Sequence, residues 1–465
     1  MGIKKNFIYS TILTGANYIF PLITYPYVSR VLGVTNIGTC NFVDSIINYF
    51  ILFAMMGISA VGVREIAGSS NDQNGQSRIF SSLLTLNAIA TAIMLFILLI
   101  AIQIIPELHE HKELMYVGAI KLAANLFLVE WFFRGTENFK YITNRTIIVK
   151  CLYVVSVFIF VKEADDYPIY YLLLSFMVII NAAINFPYAC SKVKFSFKGI
   201  TIRPFLKSFM IMGVYMLLTS MYTSFNVAYL GFVSGEEQVG YYTTATKIFT
   251  IILSIYTALT NVMLPRMSAL YSEGNIDEFK RLVQRSIDLV LTLSIPAIIY
   301  TTFFAPEIIY LISGKGYEGA YLPARIIMPL ILIIGYEQIL IIQVLMSIKK
   351  DKSVLLNSII GAIVGLLLNI LLVSQLQSIG SAITWVCAEI VILIAASIEV
   401  KRLIGLKFPI KKITRILLYY TPIILLFLLF ANRFSEHEYI TLLGGTTSMG
   451  IYTFCILFFT KKNQQ

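Results

Sequence analysis

Charge is scarce in this chain. Of its 465 residues 13% are Asp, Glu, Lys or Arg and 58% are apolar, against about 25% charged in an ordinary soluble domain, so a water-soluble globule is excluded. Cysteine is sparse as well. Cys40, Cys151, Cys190, Cys387 and Cys455 sit in or beside apolar runs with no short spacing, which removes a disulfide framework and a zinc site. The only histidines, His109, His111 and His437, fall between apolar runs and read as solvated loop residues. Gly314-Lys315-Gly316 lacks the glycine that a phosphate loop requires at 309, where Ile309 stands. Long polar stretches are missing too, so no soluble catalytic domain has room to exist, and the chain reads as a non-enzyme.

What is present is apolar sequence in membrane-crossing lengths. A bilayer core takes about 20 apolar residues per helix, and fourteen runs reach that length: 7 to 31, 38 to 62, 79 to 105, 114 to 133, 143 to 161, 168 to 190, 205 to 232, 240 to 264, 286 to 305, 321 to 346, 353 to 374, 379 to 399, 415 to 432 and 439 to 460. The fold class is therefore an all-α polytopic membrane protein of about fourteen helices. The first run follows Lys4 and Lys5 without a small-residue cleavage site, so it reads as a retained helix and not a signal peptide. With both termini cytoplasmic, one side collects Arg64, Arg78, Arg134, Lys140, Lys192, Lys194, Lys280, Arg281, Lys349, Lys350, Lys401, Arg402, Lys411 and Lys412. The other carries the acids of 163 to 166, Glu236, Glu237, Glu107, Glu110, Glu113, Glu436 and Glu438. This is the positive-inside pattern. It accounts for the net charge of +11 without a nucleic-acid partner. Residues 267 to 285 are polar enough to predict a short amphipathic helix along the cytoplasmic surface.

The chain also repeats itself. Phe7, Ser10, Gly15, Leu32 and Gly33 meet Phe205, Ser208, Gly213, Leu230 and Gly231 at a shift of 198 positions; after a four-residue insertion, Gly38, Ile46, Arg64 and Ala67 meet Gly240, Ile248, Arg266 and Ala269 at 202. Arg78 with Leu84, Thr85 and Leu86 meets Arg285 with Leu291, Thr292 and Leu293 at 207. In transporters such repetition marks two related lobes about a central site. The expected division is a six-helix lobe at 1–200, a parallel second lobe at 201–400 and two further helices at 401–465, with the basic stretches 191 to 207 and 401 to 415 as linkers.

Charge within the apolar runs is costly and marks function by default. Lys247 lies seven residues into its run, roughly 10 Å below the helix start. Lys121 and Lys150 are similarly deep, and Arg30 lies near one end of the first run, where snorkelling to the interface is the competing reading. Glu130 and Arg134 are four apart and read as a structural ion pair. Asp44, Glu337 and Glu389 have no partner in sequence; each either carries a coupling proton or sodium ion or neutralises a lysine across a cavity. The paired Arg64 and Arg266, where two helices leave the membrane, read as gate or hinge anchors. No metal site and no bound cofactor are expected beyond a coupling sodium ion or proton.

The segments YPYVSRVLGVTNIGTCNF, GVREIA, VGYYTTATKI and VMLPRMS resemble the Wzx-type oligosaccharide flippases of O-antigen and capsule synthesis, within the multidrug/oligosaccharidyl-lipid/polysaccharide exporter superfamily. That resemblance implies two lobes enclosing a cationic cavity in the bacterial cytoplasmic (inner) membrane. It implies passage of undecaprenyl-diphosphate-linked repeat units from the cytoplasmic to the outer leaflet by alternating access, with the polymerase and chain-length proteins of the same pathway as partners. It places Lys247 as a diphosphate or glycan ligand and Arg30 as the basic residue of the SRVLG-like motif, with Lys121 and Lys150 as further substrate-binding candidates. The acids Asp44, Glu337 and Glu389 depart from a uniformly cationic cavity. The competing expectations are an ion-coupled drug or cation exporter of the same fold and, against the short loops, a membrane polymerase or glycosyltransferase.

Overall fold

In the computed structural model the described residues are 3–69, 72–196, 200–430 and 438–462. They are helical almost throughout. In order these are α1 (Ile3–Met55), α2 (Ile58–Gly68), α3 (Gln73–Ile104), α4 (Pro106–Glu110), α5 (Lys112–Asn125), α6 (Glu130–Gly135), α7 (Phe139–Phe160), α8 (Tyr167–Lys192), α9 (Arg203–Thr223), α10 (Phe225–Ser234), α11 (Glu236–Ser272), α12 (Ile276–Phe303), α13 (Ala305–Ser313), α14 (Tyr321–Ile327), α15 (Leu330–Gln338), α16 (Asp351–Leu368), α17 (Ser374–Ile404), α18 (Ile410–Phe430) and α19 (Glu438–Lys462). Ile339–Met346 and Asn369–Val373 are π-helical. The chain is an all-α polytopic membrane protein. Among the described residues nine helical stretches are long and apolar enough to cross a bilayer, and two of them, Thr11–Gly68 (58 residues) and Lys352–Ile404 (53 residues), are long enough to cross twice. Each of these two contains a break: Gly33 (φ 75°, ψ 172°) in the first and Gln377 (φ 52°) in the second. Together they hold four of the fourteen predicted runs.

The Gly33 break corrects the register of the repeat. Gly235, between α10 and α11, has φ 81° and ψ 174°, the same backbone conformation, and it lies 202 positions after Gly33, not 198. At that shift Tyr27 also meets Tyr229 and Val31 meets Val233. The insertion therefore lies before the kink, and Arg30 corresponds to Phe232. Both breaks need glycine, since a side chain disfavours positive φ. A second repeated device follows 212 positions apart. After α6, Glu137 (φ 54°) and Asn138 bond back to the carbonyls of Arg134 and Phe133; before α16, Lys349 (φ 61°) and Lys350 bond back to Met346 and Leu345. The same αL turn thus closes both helices.

Compact packing divides the chain into Met1–Gly240 and Tyr241–Gln465. Helices α9 and α10, which the repeat assigns to the second lobe, pack within the first unit. There Gly57 faces Met212 and Phe209 of α9, and Gly213 faces Met56. In the same unit the two kinks cross reciprocally. A methyl group on Gly38 would stand 1.8 Å from the Glu236 carbonyl oxygen, and one on Gly240 would stand 2.3 Å from that of Val34; at a shift of 202 these are equivalent contacts. The core of this unit gathers Phe80, Trp131, Phe132, Phe133, Ile58 and Ile66, with Gly62 flat against the Trp131 ring. The linker after α8 is pinned by backbone N–H groups of Lys194, Ser196 and Thr201, which donate to Ser77, Ser81 and Ser82 of α3. In the second unit α18 and α19 cover α12 and α13 through Ile295, Ile299, Phe304, Tyr420 and Phe427.

Residues 267 to 285 do not form the predicted surface helix. Met267, Leu270, Phe279 and Val283 are buried and Tyr271 meets Phe279 at 5.9 Å. The stretch is instead the meeting of α11 and α12, turned at Gly274 (φ 73°) with Asn275 accepting from the Glu278 N–H as N-cap. The apolar pairs across that turn outweigh the polar face that drew the expectation. His437, Glu436 and Lys198 lie outside the described residues.

Gly240→Val is expected to abolish recovery of folded protein, because its neighbour is backbone and overpacking costs about 1–3 kcal/mol or more. Gly15→Ala, with open space around it, is expected to be neutral or to stabilise by about 0.5–1 kcal/mol. Thermal melts of the purified variants compare the two, and equal effects would remove the crossing from its structural role.

Candidate functional site

The first unit holds its cations by pairing them. Beyond the Gly33 kink, α1 presents Asp44 and, one turn later, Asn48. Lys121 of α5 donates from Nζ to Asp44 Oδ1 at 2.6 Å and to Asn48 Oδ1 at 3.3 Å, and Asn48 Nδ2 closes the triangle on Asp44 Oδ2 at 2.9 Å. Lys121 is buried, while Asp44 keeps 29% of its side chain exposed. Lys150 of α7 donates to Asn17 Oδ1 at 2.7 Å and lies 5.8 Å from the centre of the Phe20 ring. Each lysine therefore has a resident polar partner on α1, and an anionic ligand must share or displace it.

Arg145, near the start of α7, carries no motif or spacing in the sequence that marks it as a site residue. It is buried, donates to Glu130 Oε1 at 2.9 Å and to Thr146, and leaves Nε and Nη1 without partners among the described residues. Glu130 does pair with Arg134, at 3.5 Å, but the shorter contact is to Arg145. Arg64 is exposed and pairs with its neighbour Glu65 at 2.8 Å. Arg266 is exposed on α11, and Arg30 is exposed three residues before the kink. His111 is engaged with Glu236 at 2.8 Å and His109 with the Ile102 carbonyl at 3.2 Å; among the described residues no group of three or more His, Cys, Asp and Glu could hold a metal ion.

In the second unit Lys247 is half-buried on α11 after the buried Thr243 and Thr244. Two residues on, Phe249 meets Trp385 edge to face at 5.0 Å. Glu337 of α15 and Glu389 of α17 are both buried in this unit, and the Trp385 indole N–H donates to Glu389 Oε1 at 3.0 Å. Gln338 and Thr257 bond to each other at 3.1 Å. Helical periodicity could have found Asn48 and Trp385, each four residues from an acid. The isolated Gln343 inside ILIIQVLM is a signal of the same kind.

Comparison with known proteins gives the family and the fold. Residues 3–271, more than half the chain, match the family described as polysaccharide biosynthesis protein, and residues 211–371 match the MatE family. A protein of Escherichia coli (strain K12) named for O-antigen transport is 25% identical over 396 residues, covering 84% of this chain and 94% of the relative. The lipid II flippase MurJ of Bacillus subtilis (strain 168) is 24% identical over 173 residues, 35% of this chain and 30% of that one. Among solved structures, lipid II flippase MurJ in an inward closed conformation superposes with a TM-score of 0.80 at 17% identity, over 98% of this chain and 100% of the other. An inward-facing multidrug resistance MATE transporter gives 0.64 at 18% identity, over 83% and 94%. These superpositions establish the shared fold.

Lys121→Met is expected to destabilise the first unit by about 2–3 kcal/mol, below the roughly 3–5 kcal/mol of a fully dry pair because Asp44 is partly exposed. Adding Asp44→Asn should recover most of that loss, since the stranded carboxylate is then gone. Denaturation of the two variants beside wild type reads this out, and no recovery in the double variant would mean the two side chains are not coupled.

Proposed function

We propose, for a chain that belongs to the polysaccharide biosynthesis protein family of membrane transporters, that it is a lipid-linked glycan flippase. It moves undecaprenyl-diphosphate-linked oligosaccharide units from the cytoplasmic to the outer leaflet of the bacterial inner membrane, with both termini cytoplasmic, by alternating access of its two repeats. The observation that carries this reading is basic charge held within the helices: Lys121 and Lys150 inside membrane-length stretches of the first unit and Lys247, half-buried on α11, in the second. A diphosphate and its sugars need positive charge and hydrogen bonds on their way through, while a prenyl tail stays in lipid.

In this reading Lys121 and Lys150 are preorganised by their amide partners Asn48 and Asn17, so that binding the diphosphate costs little side-chain ordering. Lys247, Lys121, Lys150 and Arg30 contact the lipid-linked substrate. Arg64 and Arg266 anchor the ends of α2 and α11 while the repeats rock. The polymerase and chain-length proteins of the pathway take up the delivered unit. The covalent structure of the cargo is unchanged by passage, so no nucleophile or acid–base pair is called for.

A second reading, an ion-coupled exporter of cationic drugs, draws on the MatE match and on the carboxyl pair Glu337 and Glu389. Such cargo needs acids facing it, whereas that pair is buried against its own unit.

Lys247→Ala is expected to leave the protein in the membrane and to abolish surface polysaccharide, and Lys121→Met to reduce it. Translocation of a labelled lipid-linked oligosaccharide in proteoliposomes measures the step directly. Normal export by Lys247→Ala would remove Lys247 from the substrate path, and resistance to cationic dyes conferred without glycan transport would favour the exporter.

A further inference from the structure

Helix α11 carries a polar line that its lysine alone does not explain. Steps of four and three residues, taken alternately from Thr243, meet Thr243, Lys247, Thr250, Ser254, Thr257, Asn261, Leu264 and Ser268, and that spacing keeps all eight on one face of an α-helix. Seven of the eight are polar. They run through the predicted membrane run 240 to 264 and cover about 37 Å at 1.5 Å per residue, more than the roughly 30 Å hydrocarbon thickness. The face that packs α11 into its unit lies about a third of a turn away, where Tyr242, Ala245, Phe249, Tyr256 and Met267 are buried. On the polar line Thr250 is exposed and Lys247, Ser254, Thr257 and Ser268 are half-buried. Polar groups on a membrane helix face the bundle interior or water, not lipid. The common frame does not demand them: at the shift of 202, Ser254 meets Leu52 and Thr257 meets Met55.

The hydroxyls of the line share one hydrogen-bonding state. Thr250 Oγ1 donates to the Thr246 carbonyl at 2.7 Å, Ser254 Oγ to that of Ile251 at 2.6 Å, Thr257 Oγ1 to that of Leu253 at 3.3 Å and Ser268 Oγ to that of Leu264 at 3.0 Å. A hydroxyl has one proton and two acceptor lone pairs. With the proton held by its own helix, each presents itself outward as an acceptor, and Thr257 already accepts from Gln338 Nε2 at 3.1 Å. A phosphate, which brings only acceptor oxygens, has nothing to donate to such a row; it is matched at Lys247. A ligand rich in hydroxyl donors is what the row fits.

We propose that this face of α11 is a glycan track: Thr250, Ser254 and Thr257 accept hydrogen bonds from the hydroxyls of neutral sugar units, while Lys247 holds the diphosphate at one end of the row. The inference rests on the flippase reading and adds to it the class of sugar. Acceptors in a row favour sugars with free hydroxyls and oppose sugar carboxylates, which bring further acceptors and negative charge. Because the row offers an acceptor at each turn of helix, a sugar chain moving along α11 exchanges one shallow contact for an equivalent one. No single deep site then holds the cargo back, as passage through a membrane requires.

The test is binding to the purified full-length protein in lipid nanodiscs, read by native mass spectrometry with two probes: undecaprenyl diphosphate, and the undecaprenyl-diphosphate-linked oligosaccharide extracted from the producing cells. Wild type is expected to bind both. Thr250→Val/Ser254→Ala/Thr257→Val, which removes the acceptors at nearly constant volume, should weaken the oligosaccharide-bearing probe at least about tenfold and leave undecaprenyl diphosphate within about twofold. Lys247→Ala should weaken both. The conservative set Thr250→Ser/Ser254→Thr/Thr257→Ser keeps the hydroxyls and should bind as wild type does, and retained undecaprenyl diphosphate binding shows that a variant is folded. The track falls if the apolar set binds the oligosaccharide normally, if it loses both probes alike, or if the conservative set fails with it, since hydroxyls would then not be what the glycan meets. Each of those results leaves the flippase reading in place, whereas wild type that binds neither probe overturns both.

Discussion

Water is absent from the hydrocarbon interior, and every charged or hydrogen-bonding group placed there must find its partner within the chain, in its ligand or in a trapped solvent molecule. The architecture follows from how each group meets that demand. Backbone groups are satisfied by near-continuous helix. Serines and threonines of the spanning segments bond back to carbonyls one turn earlier, as Ser29 does to Tyr25, Ser81 to Ser77 and Thr301 to Ala297. Lys121 and Lys150 take carboxylate and amide partners on α1. Polar atoms left unpartnered among the described residues occur in both units, on Arg145 and Ser175 in the first and on Gln343, Ser381 and Thr384 in the second.

The repeat shares its frame and divides its chemistry. Gly33 and Gly235 have the same backbone angles, Gly38 and Gly240 make equivalent close contacts, and the turns at Glu137 and Lys349 close in the same way. Those positions shape backbone. Side chains at corresponding positions differ: Asp44 meets Thr246, and Lys247 meets Ser45. Not every shared glycine is used alike. Gly213 is filled by Met56 whereas Gly15 faces open space, so identity between repeats marks common ancestry of the frame more reliably than common packing.

Much of this was legible in the sequence, for reasons tied to particular residues. Apolar length gave the crossings, because a bilayer imposes one dimension on every spanning helix. The turn glycines announced the kinks, because only glycine takes φ near 75° without cost. The register before the kink is hidden in the sequence because Leu32-Gly33 and Leu230-Gly231 are identical pairs at a shift of 198, and identity carries no information on φ. The polarity of 267 to 285 was real, yet Tyr271 against Phe279 decided the geometry, a contact that pattern alone does not show. Asp44 and Lys121 lie 77 positions apart, and Glu337 and Glu389 sit on different helices. Each carried a visible mark of cost inside an apolar run; which partner relieved that cost depended on how the helices pack.

The pairing of Lys121 with Asp44 bears on how a carrier of anions returns empty. A lysine exposed to a dry interior without its ligand would raise the energy of the unloaded form by several kcal/mol, and reorientation of that form would be slow. A carboxylate on the neighbouring helix, held by Asn48 and still partly exposed, supplies the counter-charge when cargo is gone. The same carboxylate weakens cargo binding, since an arriving phosphate must share Lys121 with it. For a transporter in the proposed cycle that is an advantage: binding energy that did not vary between loaded and empty states would trap the substrate, and differential affinity is what moves a two-state equilibrium. The acids that depart from a uniformly cationic cavity thus fall into two kinds. Asp44 lies beside its lysine, where it makes the empty state of the proposed cycle tolerable, while Glu337 and Glu389 are buried in the second unit with no ion pair to a basic side chain among the described residues.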